Sequence, residues 1–109
     1  MTLELPQTLR RYLDAQNRHD IEALVACFAP DARVRDEGRD IVGSDAIRAW
    51  KAETTAKYRV LVEPLDLRVE IDRTLLTAKV SGTFPGSPVT LTYRFGFAAD
   101  GRIAALDIG

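Results

Sequence analysis

The stretch D-A-R-V-R-D-E-G, residues 31–38, contains the carboxylate whose direction is most informative about chemistry. If these residues form a strand, successive side chains point to opposite faces, so Asp36 shares the inward side of Ala32 and Val34. A carboxylate directed at a protein interior is costly unless it is paired, hydrogen-bonded or neutralised. An inward carboxylate of this kind is suited to accepting a proton from a bound molecule. The alternative is that the strand has ended and that Asp36 starts a turn by binding nearby backbone N–H groups.

Two tyrosines can also be interpreted in two ways. Tyr12 lies on the apolar stripe of a predicted first helix, and Tyr93 lies on the inward side of a predicted strand. Each is either a core tyrosine whose hydroxyl reaches a partner or a hydrogen-bond donor to the carbonyl of a ligand. By contrast, we expect His19 to be a solvated loop residue and Cys27 to be a buried, unreactive thiol.

The residue types available argue against a metal or nucleotide cofactor. One cysteine and one histidine cannot supply a structural zinc site. No glycine-rich loop is present to hold a phosphate group. We therefore expect the protein to need no cofactor.

Charge and composition exclude several classes of partner. The formal net charge of −1 provides no basic field for nucleic acid or anionic lipid. No apolar run is long enough to cross a bilayer, and the N-terminus lacks the basic and apolar segments of a signal peptide. Together with the single cysteine, these features predict a cytoplasmic protein that binds neither nucleic acid nor membrane.

Three helices are predicted before the long strands. The first begins near Thr2 or Pro6, and the second begins after the N-cap Asp20 and is stopped by Pro30. The third begins at the cap Ser44. Helical spacing divides the third helix into an inward side with Ile47, Trp50 and Thr54, and an outward side with Lys51, Glu53 and Lys57.

Alternating apolar and polar residues predict strands on both sides of the third helix. Two short strands are predicted at residues 32–36 and 39–42. From Tyr58 onward, four long antiparallel strands follow, the first of them kinked or bulged at Pro64. Their inward residues are predicted to be Tyr58, Val60, Val62, Leu65, Leu67, Val69 and Ile71, then Leu76, Ala78, Val80, Gly82 and Phe84, then Leu91, Tyr93, Phe95 and Phe97. Helices followed by strands indicate an α+β fold in a single domain over residues 1–109.

Three segments in this order, L-R-R-Y-L, D-I-E-A-L-V-A-C-F-A-P-D-A and G-S-D-A-I-R-A-W, strongly resemble the nuclear transport factor 2-like superfamily. Within it, the chain is most similar to the SnoaL-like and ketosteroid-isomerase-like branch. The resemblance covers essentially the whole chain. It implies a cone-shaped fold, in which a curved antiparallel sheet wraps around three N-terminal helices and encloses a deep apolar pocket. Members include isomerases, polyketide cyclases, epoxide hydrolases and non-catalytic association domains, so the fold alone does not choose a function.

The same resemblance implies roles for individual residues. Asp36, in V-R-D, matches the general base of the isomerases, and Tyr12, in R-R-Y-L, matches their donor to the substrate carbonyl. Their second donor is an acid on the penultimate strand, and this position falls at Tyr93, which could donate a hydrogen bond in its place. The catalytic histidine of the cyclases has no counterpart, because His19 lies between two predicted helices.

The implied pocket and dimer surface involve larger sets of residues. Beside the three catalytic candidates, we expect the pocket to be lined by Phe28, Val34, Trp50, Tyr58, Phe84, Phe95 and Leu106. The outer sheet face is commonly the homodimer surface in this superfamily, which predicts a homodimer built on Thr77, Lys79, Thr92 and Arg94.

Two functions of different classes follow from the resemblance. The first is an isomerase or cyclase that moves a proton on an apolar, carbonyl-bearing substrate such as a steroid-like or polyketide-like ring. The second is a non-catalytic module that uses the pocket or the sheet face for binding or association. In both cases the expected ligand is an apolar small molecule.

Overall fold

The helices of the protein all precede the four long strands, as the sequence predicts. The computed structural model describes residues 4–109 and contains helices α1 (Gln7–Arg18), α2 (Ile21–Val25) and α3 (Ser44–Tyr58). Pro6 occupies the N-cap of α1, whereas the alternative start at Thr2 lies outside the described residues. The N-cap prediction for Asp20 is confirmed, because its carboxylate accepts the backbone N–H of Ala23 at 3.1 Å.

The prediction that Pro30 stops the second helix is wrong. Helix α2 ends at Val25, and strand β1 already begins at Phe28. The strand tolerates Pro30 because its pairing with the last strand is irregular between Phe28 and Arg33. A missing backbone donor costs least at such an irregularity.

The third helix differs from its predicted form at both ends. Gly43, not Ser44, is the N-cap, and its φ of 89° lies in the left-handed region that favours glycine. Tyr58, predicted to open a strand, is instead the last residue of α3. The chain leaves the helix through Arg59, which has a left-handed φ of 48°.

Six strands form one mixed sheet. They are β1 (Phe28–Asp36), β2 (Arg39–Val42), β3 (Leu61–Val69), β4 (Thr74–Ser81), β5 (Val89–Phe97) and β6 (Ile103–Ile108), in the order β2-β1-β6-β5-β4-β3. The α+β class is confirmed, with one parallel pair, β1 and β6, among antiparallel neighbours. The predicted irregularity near Pro64 is also confirmed, since the register of β3 against β4 shifts between Pro64 and Asp66.

The inward side of β4 and β5 packs into the core as predicted. Leu76, Ala78 and Val80 are buried on β4, and Tyr93 and Phe95 are buried on β5. The helices supply the other half of the core, with Leu9, Tyr12, Leu24 and Ile47 fully buried.

The second half of β3 does not face the core as predicted. Leu65 is 46% exposed, Val69 is 70% exposed and Ile71, just beyond the strand, is fully exposed. Helix α1 is hydrogen-bonded to this part of the chain near the start of β3, where Gln16 binds Val60 and Asn17 binds Val62. This edge strand therefore extends past the part of α1 that covers it. Among the described residues, no helix is long and apolar enough to cross a membrane.

Candidate functional site

A pocket of about 610 Å³ lies between α3, the ends of β1 and β6, and the connection from β4 to β5. Its wall is mostly apolar, with two carboxylates at one end. It is lined by Asp36, Glu37, Trp50, Thr54, Tyr58, Val60, Val80, Phe84, Pro85, Val89, Leu91, Tyr93, Ile108 and Gly109. This size and character are typical of a site for a small organic ligand.

Sheet register places Asp36 and Tyr93 in one row across the floor of the pocket. Ile108 of β6 pairs with Asp36 on one side and with Tyr93 on the other. Because neighbouring strands lie about 4.8 Å apart, the backbones of Asp36 and Tyr93 are separated by roughly 10 Å. A ligand over Ile108 would therefore meet a carboxylate at one side and a phenol at the other.

Asp36 is the last residue of β1 and is half-buried. Its Oδ2 accepts a hydrogen bond from the indole Nε1–H of Trp50 at 3.0 Å. Asp36 still pairs with Ile108 and with Arg39 of β2, so it lies within the sheet and the turn begins after it. Of the two interpretations of Asp36, the inward one describes its position.

Glu37 also lines the pocket, although strand alternation would place it on the outer face. Its φ of 52° is left-handed, and Gly38 follows with a φ of 75°. The turn between β1 and β2 therefore interrupts the alternation one residue after Asp36. The D-E-G sequence was the available signal for this turn.

Tyr93 faces the pocket with a side chain that is only 4% exposed. Burial raises the pKa of its phenol far above the ordinary value of 10, and the charge of Asp36 adds to this effect. The hydroxyl consequently stays protonated over the physiological pH range and remains a hydrogen-bond donor.

Tyr12 does not line the pocket and lies one layer behind it. Its ring packs edge-to-face against Phe95 at 5.5 Å, and Phe95 stacks against Tyr93 at 6.3 Å. Burial raises the pKa of Tyr12 well above 10, with further contributions from Tyr93, Asp36 and Cys27. Tyr12 is thus within electrostatic reach of Asp36 while the aromatic layer separates it from the open pocket.

The structure brings together half of the predicted site. Five predicted residues line the pocket: Asp36, Trp50, Tyr58, Phe84 and Tyr93. The other five are buried in the core and do not line it: Tyr12, Phe28, Val34, Phe95 and Leu106. The edge-to-face contacts of Tyr12 with Phe28 and Phe95 help to fill that region, so the open space is confined to the end of the sheet near Asp36.

Lys51 was predicted to face outward but is only 7% exposed. Its Nζ lies over the ring of Trp50, 5.0 Å from the ring centroid. Burial lowers the pKa of Lys51 from 10.5 to about 8, and the attraction of Asp36 opposes this change. Within residues 4–109, no group of three or more His, Cys, Asp and Glu side chains is arranged to hold a metal ion.

Residues 9–106 match the SnoaL-like domain family. The chain belongs to this family. Among solved structures, it is 48% identical to a candidate polyketide cyclase from Sinorhizobium meliloti, with a TM-score of 0.92. The matched region covers 96% of this chain and 95% of the Sinorhizobium protein. No curated protein sequence matches the chain.

More distant structures share the fold of this SnoaL-like protein. A protein with a ketosteroid isomerase-like fold from Catenulispora acidiphila, in complex with trimethylamine, is 21% identical with a TM-score of 0.85, covering 97% of this chain and 86% of its own. The epoxide hydrolase/cyclase-like enzyme SalBIII, which acts in pyran ring formation in the polyether salinomycin, is 17% identical with a TM-score of 0.81. The matched region covers 94% of this chain and 86% of SalBIII. These likenesses confirm the predicted nuclear transport factor 2-like fold.

Proposed function

We propose that this SnoaL-like protein is a cofactor-independent isomerase or cyclase that moves a proton on an apolar carbonyl compound, with Asp36 as the base. The observation that carries the proposal is the position of Asp36, whose carboxylate lies with Glu37 at one end of a mostly apolar pocket and is oriented by Trp50 at 3.0 Å. In the proposal, Oδ2 keeps its bond to Trp50 and Oδ1 takes the proton.

The proposed reaction begins with removal of a proton from the carbon next to the ligand carbonyl. The proton passes to Asp36, and the electron pair of the C–H bond moves into an enolate. The Tyr93 hydroxyl, kept protonated by burial, donates to the enolate oxygen. Return of the proton to another carbon completes an isomerisation. In the alternative, the enolate carbon attacks a second carbonyl and closes a ring, and the alkoxide formed from that carbonyl takes the proton back from Asp36.

The pocket supports an apolar, ring-containing substrate. Trp50, Tyr58, Phe84 and Tyr93 provide aromatic surface, and Val80, Val89, Leu91 and Ile108 provide aliphatic surface. The resemblance to a candidate polyketide cyclase at 48% identity is consistent with a polyketide-like ring. Tyr12 has a supporting role in the proposal, through its packing and electrostatic contact behind Tyr93, and is not a direct donor to the ligand.

Hydrogen–deuterium exchange tests the proposal directly. The protein is incubated with an enone or a cyclic ketone in deuterated buffer, and deuterium at the α-carbon is followed by NMR. We expect catalysed exchange in the wild type and its loss in Asp36→Asn. Glu37→Gln is the matched control, because it removes the neighbouring carboxylate of the same pocket and should leave exchange in place.

The second candidate function is a non-catalytic ligand-binding module. It is favoured by one feature, namely that a tyrosine, Tyr93, occupies the position where the resemblance to isomerases implies an acid. Binding of the same ketones without any exchange would support the module and contradict the enzyme.

A further inference from the structure

Lys51 is a buried cationic group that the proposed mechanism leaves unused. Its side chain is 7% exposed although lysine is among the residues least often buried. It lies on α3 directly after Trp50, the residue that holds the pocket carboxylate. A buried amine beside the site calls for a physical explanation.

Lys51, Trp50 and Asp36 form a continuous series of contacts. The Lys51 Nζ is 5.0 Å from the centroid of the Trp50 ring, and the Trp50 Nε1 is 3.0 Å from Asp36 Oδ2. The indole thus has a cation over its face and a carboxylate at its N–H edge. A cation over the ring draws electron density from it, which strengthens the N–H as a donor, and the low dielectric of the interior reinforces both contacts.

We propose that Lys51 is a positioning residue whose ammonium group holds the Trp50 indole and, through it, fixes the Asp36 carboxylate for proton transfer. The charged form of Lys51 also attracts Asp36 directly, because each charge stabilises the other. Loss of the Lys51 proton removes both effects. The Trp50 indole and the Asp36 carboxylate are therefore held in place when Lys51 is charged and are held less firmly when Lys51 is neutral. This inference rests on the proposed function only for the role of Asp36 as a base.

Two ion pairs engage other charged groups on the elements around α3. Glu22 of α2 pairs with Arg48 at 2.8 Å, and Arg39 of β2 pairs with Glu53 at 3.6 Å. Asp36 of β1 is the group whose charge acts on Lys51. A change in Lys51 with pH should therefore report on the series from Lys51 to Asp36.

Trp50 provides a reporter within the protein because it is the only tryptophan in the chain. Its fluorescence is recorded from about pH 6.5 to about pH 9.5, a range in which free lysine, with a pKa near 10.4, stays charged. We expect a transition with a midpoint near pH 8 in the wild type. In Asp36→Asn the midpoint should move to lower pH, because the charge that raises the Lys51 pKa is gone.

Variants of two lysines separate this interpretation from general effects of pH. Lys51→Met should abolish the transition, and Lys51→Arg should abolish it while keeping the low-pH spectrum. Lys57→Met is the matched control, since Lys57 lies 5.3 Å over the Tyr58 ring but is exposed. A transition that persists in Lys51→Met, or a wild type without one, would overturn the proposal.

Two further measurements keep the test independent of variant folding and of catalysis. In wild-type protein with ¹³Cε-labelled lysine, one of the three lysines should titrate near pH 8 by NMR. In the exchange assay, the wild-type rate should change through pH 8 while that of Lys51→Arg stays level. If fluorescence and NMR show the coupling but no exchange occurs, the proposed function fails and the Lys51 coupling stands. If exchange occurs without any titration near pH 8, the coupling fails and the proposed function stands.

Discussion

The indole N–H of Trp50 donates to Asp36 across 3.0 Å and joins the middle of α3 to the last residue of β1. This hydrogen bond satisfies two polar groups at once. It gives a half-buried carboxylate a donor, which lowers the cost of turning it inward, and it gives a buried indole N–H an acceptor. It also holds one carboxylate oxygen of Asp36 in a defined place.

Asp36→Asn should remove the base while preserving the acceptor for Trp50. We expect α-proton exchange to fall by about 10²–10⁴-fold, the usual contribution of a positioned general base. Stability should change little, because the asparagine carbonyl can accept the same indole N–H. Thermal melting and the exchange assay together check both parts.

Asp36→Ala provides the structural comparison. It leaves the Trp50 N–H without this acceptor and should cost about 1 kcal/mol of stability, a fall in Tm of roughly 4–8 °C for a domain of this size. If Asp36→Asn destabilises the protein as much as Asp36→Ala, the hydrogen bond to Trp50 depends on the charge and not on the acceptor alone.

Tyr93→Phe should weaken catalysis without weakening ligand binding. The variant keeps the aromatic wall and removes only the hydroxyl that donates to the developing enolate, so the exchange rate should fall by about 10²-fold. Tyr58→Phe is the control, because Tyr58 lines the same pocket but does not lie in the row with Asp36 and Ile108. Equal losses in the two variants would contradict a specific role for Tyr93.

Strand alternation predicted the inward residues of β4 and β5 because the pairing of these two strands with each other is regular. The same rule failed for Glu37, where a left-handed residue interrupts the strand, and for Val69, which lies at the far end of the edge strand and is exposed. Periodicity in a sequence describes the element itself. Periodicity does not show where the neighbouring element lies, and that position decides whether an apolar residue is covered or exposed.

The sequence also could not predict which of the inward residues line the pocket and which are packed in the core. Trp50 and Phe95 are both aromatic residues at inward positions of their elements. In the structure Trp50 lines the pocket, whereas Phe95 is buried and stacks against Tyr93. Apolar residues line both packed interiors and open pockets, so the pattern cannot separate the two. Lys51 was missed for a related reason, since a lysine beside an apolar stripe is ordinarily solvated.

A homodimer on the outer sheet face remains a prediction. Thr77 and Thr92 pair across β4 and β5 on that face and are only partly buried. A stable interface there should bury more than about 1,000 Å² in total. Light scattering at micromolar concentration should then give about twice the chain mass of 12.1 kDa.

Variants on two faces locate the predicted interface. Thr92→Glu places a charge at the centre of the sheet face and should yield monomers, since burying an unpaired carboxylate is costly. Ala52→Glu, on the exposed side of α3, should leave the mass unchanged. A monomeric wild type, or a dimer indifferent to Thr92→Glu, would exclude this face.

Replacing Lys51 with methionine should stabilise the protein at neutral pH, and the gain should vanish at high pH. Folding lowers the Lys51 pKa from 10.5 to about 8, so between these values the unfolded chain binds more protons than the folded one. Stability therefore rises with pH through this window, and the full penalty for the buried ammonium applies below pH 8. At pH 7 this penalty is on the order of 3 kcal/mol, so Lys51→Met should raise Tm by roughly 12–24 °C. Thermal melts at pH 7 and pH 10 measure the difference, with Lys57→Met as the exposed control. A gain that is equal at both pH values would arise from packing alone, and a loss at pH 7 would show that the Lys51 charge stabilises the fold.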